Sequence, residues 1–236
     1  MIPPDGQFRK IAGPTPRSLS KSPKLMRIVS GKYRRRLLQT SPGETTRPIT
    51  DRAKVALFDR IQPLLDTGPR VADVFSGTGT MGLEALSRGA KSVVFFEQDL
   101  TAYELLKQNV EMLGAKAETV CWRTDVFRTS FHPKGEAYKD FVPYDVIFFD
   151  PPYRMTPKIK QNSLLFAALE RLGNPVLCVP EALLVLRCDE HANFELPPAW
   201  QPDEIHRVNR MMLHFHRFRP PAPVVSEVAA TPVGGQ

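Results

Sequence analysis

Between Val71 and Leu172 short apolar runs alternate with stripes of apolar residues at helical spacing, and this alternation restricts the fold more than any other feature of the sequence. Strand-like runs stand at Val71–Phe75, Ser92–Glu97, Ala117–Trp122 and Tyr144–Phe149. Helical segments lie between them: Met81–Ser87, a stripe of Tyr103, Leu106, Val110 and Leu113, and Ser163–Leu172. A further strand is predicted at Leu183–Arg187, and Ile205–Arg219 holds two more apolar-polar runs. The strands are apolar on both faces, as strands covered by helices on each side must be. A doubly wound α/β architecture with a mostly parallel sheet follows. Upstream, Leu57, Phe58, Ile61, Leu64 and Leu65 form one helical face after Thr50 or Asp51, either of which can cap. Arg27–Leu38 mixes β-formers with a glycine and a run of bases, and reads as a short basic hairpin.

Charge is spread unevenly along this framework. Lys and Arg total 32 against 25 Asp and Glu, a net charge of +7, yet residues 1–60 alone hold fourteen bases and four acids. A basic N-terminal region on a mildly acidic body points to a polyanionic partner, because each neutralised phosphate releases counterions. Nucleic acid is the expected partner, a merely solubilising tail the alternative. Residues 1–25 and 220–236, rich in proline and small or basic residues, are read as disordered, with 26–46 as a hairpin extension and 47–219 as the α/β domain; Met26 is an alternative start. The longest nearly apolar stretch, Val176 to Leu186, is too short to span a bilayer and carries Pro180 and Glu181. Three cysteines, Cys121, Cys178 and Cys188, have no metal-ligand spacing and predict reduced thiols in a cytoplasmic compartment, without zinc or disulfide. A monomer is the working expectation.

Chemistry enters at Asp73-Val-Phe-Ser-Gly77-Thr-Gly79-Thr-Met-Gly82, directly after the first strand of the sheet and at the start of a helix. Gly77 and Gly79 allow a sharp turn and close approach of backbone to a ligand, and Glu97 ends the next strand, where a carboxylate can accept two ribose hydroxyls. Dinucleotides and S-adenosylmethionine both use such a turn. Asp73 separates them: a carboxylate aimed into the turn repels a pyrophosphate but attracts a sulfonium and an α-ammonium. The pattern therefore favours S-adenosylmethionine over a nicotinamide cofactor. Asp125, after the following strand, either accepts an adenine amino group or caps a helix.

The tetrad Asp150-Pro151-Pro152-Tyr153 ends the fourth strand. Its prolines stiffen the turn and remove two N–H donors, so carbonyls face a ligand. Asp150 and the Pro151 carbonyl can accept both hydrogens of an exocyclic amine, and Tyr153 offers a face for a base. Alone the tetrad is an ordinary turn. Coupled to the glycine loop, it specifies amino-group methylation on a planar heterocycle.

With both motifs in view, the chain resembles the RsmD-like family of small-subunit ribosomal RNA guanine-N2 methyltransferases over about Met26 to Arg219. The resemblance rests on Met26-Arg-Ile-Val-Ser-Gly-Lys-Tyr-Arg-Arg-Arg36, on Arg47-Pro48-Ile-Thr50-Asp51-Arg52, on Asp73 to Ala90, and on the tetrad. It implies a seven-stranded, Rossmann-like class I methyltransferase domain that uses S-adenosylmethionine and no metal. It further implies that Asp73, Gly77, Gly79 and Glu97 contact the methyl donor, and Phe75, Ser76 and Asp125 are the further candidates beside them. Asp150, Pro151, Pro152 and Tyr153 would hold a flipped guanine, while Arg34, Arg35, Arg36, Arg47 and Arg52 would hold RNA of the small subunit or of an assembly intermediate. Where that family's strand after the tetrad usually ends in an acid, this chain has Arg187-Cys188. The rival readings are an amino-methyltransferase acting on adenine or cytosine of DNA or another RNA, a silent nucleic-acid-binding module, and a nicotinamide dehydrogenase.

Overall fold

A computed structural model describes residues 26–40 and 49–220. The predicted arm, residues 221–236 of the predicted tail, and Arg47 lie outside these residues. A two-stranded antiparallel pair, β1 (Met26–Arg27) and β2 (Leu37–Leu38), precedes α1 (Asp51–Leu65). Then come β3 (Arg70–Val74), α2 (Thr80–Ser87), β4 (Ser92–Glu97), α3 (Leu100–Leu113), β5 (Thr119–Arg123) and β6 (Tyr144–Phe149). The chain continues through α4 (Leu164–Leu172), β7 (Cys178–Asp189), β8 (Trp200–Val208) and β9 (Met211–Phe218). The expected hairpin is present, but each strand has only two residues and the arginines occupy its turn.

Seven strands form one sheet in the order β5-β4-β3-β6-β7-β9-β8, with β5 through β7 parallel and β9 antiparallel to both its neighbours. Residues of alternate parity face two separate cores. Val71, Val93, Phe95, Val146 and Phe148 pack beneath α1, α2 and α3, while Ala72, Val94, Ile147 and Phe149 pack beneath α4. This double coverage accounts for strands that are apolar on both faces. Helix starts follow from polar side chains: Thr50, Asp99 and Ser163 accept the amides of Ala53, Ala102 and Phe166 at 3.2, 2.8 and 3.1 Å. Thr50, rather than Asp51, is the cap of α1.

β3 pairs with β4 on one side and β6 on the other: the chain runs outward from β3 through β4 to β5 and then crosses back to β6 on the far side of β3. A crevice opens outside the carboxyl ends of strands at such a switch point. β7 is longer than the sequence predicts. It begins at Cys178 and passes through Glu181, held at φ 63°, before the Leu183–Leu186 register with β6.

The N-terminal segment is joined to the domain by a buried polar hub. Glu84 of α2, wholly buried, accepts the amides of Val29 at 2.8 Å and Ser30 at 3.0 Å, the Arg88 Nε at 3.0 Å and the Lys54 ammonium at 3.5 Å. Ser87 adds to it, accepting the Tyr33 amide at 2.9 Å through Oγ, which donates to the Ser30 carbonyl at 2.5 Å. Gly31 sits so close that a Cβ there would lie 1.7 Å from the Ser87 carbonyl oxygen. These contacts explain why the Gly-Leu-Glu-Ala-Leu-Ser stretch of α2 carries polar residues on a buried helix. Glu84→Ala leaves Lys54 and Arg88 without their buried counterion, and a loss of about 3–5 kcal/mol of unfolding free energy is expected in urea denaturation.

Candidate active site

β3 and β6 bring the two motifs to one sheet edge. Asp73 stands opposite Phe148 and Val74 opposite Phe149 in the parallel register, and the Asp150 amide donates to the Val74 carbonyl at 3.2 Å. The cleft there is lined by Asp73, Phe75, Ser76, Gly77, Asp150 and Arg187, and also by Ile49, just upstream of α1. A larger cavity of about 310 Å³, among Arg60, Leu64, Leu183 and Phe215, contains neither motif. Chemistry, and not size, marks the site.

The glycine loop is held from three directions. Asp73, 1% exposed, accepts the Gly82 amide at 2.8 Å and so fixes the first turn of α2. Burial pushes its carboxyl well above the usual carboxylate range; the Gly82 hydrogen bond opposes this, and the charges of Asp150 and Glu97 add to it. Glu97 accepts the Gly77 amide at 2.7 Å on one oxygen and those of Gln98 and Asp99 at 2.8 and 2.7 Å on the other. The oxygen facing Gly77 has a second lone pair for a hydroxyl. From α3, wholly buried Asn109 donates to the carbonyls of Thr78 and Gln39, both at 3.0 Å, and accepts the Gln39 amide at 2.8 Å. It joins the loop to the end of the N-terminal segment.

Gly79 shows why the loop needs glycine. Its φ is 85°, and a Cβ would meet Leu106 Cδ1 at 2.4 Å. Phe75 is no longer strand, contrary to the sequence expectation. It turns out of β3 at φ 62° and packs edge-on against Phe127 and Phe149. A phenylalanine in the left-handed region costs on the order of 1–3 kcal/mol, which the surrounding rings must hold in place. Ser76 Oγ is buried in the cleft wall with no hydrogen-bond partner among the described residues. An orphaned hydroxyl, a buried carboxylate and a carboxylate-braced glycine turn suit a polar, cationic nucleoside ligand.

Asp125 accepts the Phe127 amide at 2.9 Å within a turn after β5, and no helix begins there for it to cap. Tyr153 follows the two prolines, half-buried. Arg187 is legible in the sequence only as a departure from the family pattern, and the structure makes it central: its Nε and Nη2 donate to the two oxygens of Asp150 at 2.8 and 2.6 Å, and its guanidinium carbon lies 5.4 Å from the Tyr153 ring centroid. Arg34, Arg35 and Arg36 are exposed in the turn between β1 and β2, and Arg52 is exposed in the first turn of α1. Three further exposed bases absent from the sequence expectation, Arg154, Lys158 and Lys160, follow Tyr153 closely; that proximity is their signal. Among the described residues no group of three or more His, Cys, Asp or Glu is placed to hold a metal, and no helix is long and apolar enough to cross a membrane. Burial pushes the thiols up, Cys121 to about 11 and Cys178 and Cys188 to about 12, which leaves them poor nucleophiles.

The sheet order, the switch-point cleft and the loop define the class I methyltransferase fold. An RNA methyltransferase of Salinibacter ruber, solved with S-adenosyl-L-homocysteine, shares that fold at a TM-score of 0.53 and 15% identity, covering 75% of this chain and 97% of that one. A hypothetical protein of Thermus thermophilus superposes at a TM-score of 0.60 with 30% identity, over 80% of this chain and 98% of that one. The chain belongs to the family described as conserved hypothetical protein 95, whose profile matches residues 26–216. Ribosomal RNA small subunit methyltransferase D of Escherichia coli K12 is 33% identical over 175 residues, covering 74% of this chain and 80% of that protein. The Haemophilus influenzae protein of the same name is 30% identical over 175 residues, covering 74% and 84%.

Because the folded Asp73 carboxyl titrates above its unfolded value, the fold binds a proton there that the unfolded chain has already lost, and its stability falls as pH rises through that interval. Asp73→Asn keeps an acceptor for Gly82 and removes the buried charge. A higher unfolding temperature than the parent at pH 7, with the difference vanishing below the ordinary aspartate range, is the expected calorimetric result.

Proposed function

We propose that the chain transfers a methyl group from S-adenosylmethionine to the exocyclic N2 of a guanine in small-subunit ribosomal RNA. One observation carries the reading: the parallel pairing of β3 with β6 sets the Asp73–Gly82 loop and the Asp150–Tyr153 tetrad on a single cleft. The relatives' names, small subunit methyltransferase D, support the substrate class. The cytoplasm, where that RNA is assembled, is the corresponding compartment, and a monomer suffices because both motifs come from one chain.

Asp73, Phe75, Ser76, Gly77 and Gly79 would hold the methionine and loop side of the donor, Glu97 its ribose, and Asp125 stands beyond β5 at the same sheet edge, toward the base. S-adenosylmethionine, when bound, supplies an electrophilic methyl on a cationic sulfur. Asp73 complements that charge. Asp150 and the Pro151 carbonyl accept the two amine hydrogens and aim the nitrogen lone pair, Pro152 keeps the turn stiff, and Tyr153 stacks the base. Attack needs no prior deprotonation, since the amine proton becomes acidic only as the new N–C bond forms. Positioning is therefore the main source of rate, worth up to about 7–11 kcal/mol. Exposed Arg34, Arg35, Arg36 and Arg52, with Arg154, Lys158 and Lys160 beside the tetrad, supply phosphate contacts; Arg47 belongs to this group by sequence and lies outside the described residues.

The test is methyl incorporation into small-subunit RNA, free and in assembling particles, followed by digestion to nucleosides. N2-methylguanosine is the expected product, and Asp150→Ala should lower turnover at least about 100-fold with donor affinity nearly unchanged. Methylated adenine or cytosine would replace the guanine assignment. Donor binding without transfer to any nucleic acid would overturn the enzymatic reading.

A further inference from the structure

We infer that Arg187 is the positioning residue for the amine acceptor: it grips both oxygens of Asp150 in a planar fork and braces Tyr153, so that carboxylate and ring meet the base in one fixed arrangement. The inference rests on the methyl-transfer reading and names a residue whose role that reading does not require.

The placement follows from the sheet. Phe149 stands opposite Leu186 in the parallel β6–β7 register, so the next residue on each strand brings Asp150 beside Arg187 at the cleft. Nε reaches one carboxylate oxygen at 2.8 Å and Nη2 the other at 2.6 Å, with both side chains largely withdrawn from water, 8% and 16% exposed. This is the two-point geometry that guanidinium forms with carboxylate and that an ammonium cannot reproduce. The same guanidinium stands over the Tyr153 ring, with its carbon 5.4 Å from the centroid.

An arginine in a cleft for a cationic donor works against binding unless its charge is matched. The fork with Asp150 matches it. The fork also leaves Asp150 usable. A carboxylate has about four lone-pair sites, and one contact to each oxygen consumes two of them. The remaining ones lie on oxygens whose orientation is fixed. The pairing explains why position 150 is Asp here: an asparagine would turn an NH₂ group toward a guanidinium.

The experiment compares the full chain with Arg187→Ala and Arg187→Lys, measuring kcat and KM for small-subunit RNA, donor affinity by calorimetry, and unfolding temperature. In Arg187→Ala kcat should fall about 100-fold, the scale of a small misplacement of a reacting group, with KM and donor affinity within about threefold. Guanidinium ion at millimolar concentration should restore at least about tenfold of the loss while ammonium restores none, and Arg187→Lys should stay at least about tenfold below the parent because it keeps charge without the fork. Should Arg187→Ala fail to fold, Arg187→Lys and Arg187→Gln carry the same comparison. Undiminished kcat in these variants, full activity in Arg187→Lys, or a loss that guanidinium leaves unchanged would overturn the assignment of Arg187 alone. Absence of transfer by the parent chain would instead overturn the methyl-transfer reading and the assignment with it.

Discussion

The whole site depends on one run of parallel hydrogen bonding, β3 against β6. An acid stands at the end of each strand, Asp73 just before the last residue of β3 and Asp150 just past the last of β6, and the two segments are far apart in the chain. Only the register Val74 with Phe149, extended by the Asp150 amide to the Val74 carbonyl, places both carboxylates on a common cleft. A slip of one residue would turn every side chain to the opposite face, and the two separate cores above and below the sheet forbid it.

Electrostatics then divides the labour among the acids. Asp73 is wholly buried with one backbone donor, a costly arrangement that a positive ligand would relieve. Asp150 is held at both oxygens by Arg187, which matches its charge and fixes its direction. Glu97 is spent mainly on bracing the loop, through three amides. Three carboxylates in one region thus stand in three environments, set by what each one touches.

Much of this is legible in the sequence. The strand and helix alternation from Val71 to Leu172 reveals the sheet because apolar runs and helical stripes have distinct periods, and the glycine loop and tetrad are legible because their chemistry is local. Asp125 is ambiguous for the same reason, since a cap and a ligand contact ask for the same residue. The Arg187–Asp150 fork is not legible, because it depends on the register between β6 and β7, and the start of β7 is hidden by Pro180 and the left-handed Glu181. Glu84 is equally opaque: an acid on an apolar helix announces itself only once Val29, Ser30, Lys54 and Arg88 are seen to converge on it.

The central claim is that the β3–β6 cleft receives the methyl donor beside the tetrad. A crystal structure with S-adenosylhomocysteine tests it most directly. The account predicts the ligand against Asp73, Ser76, Gly77 and Glu97, with its sulfur facing Asp150. Density for the ligand in the cavity among Arg60, Leu64 and Phe215, or anywhere away from that sheet edge, would contradict it.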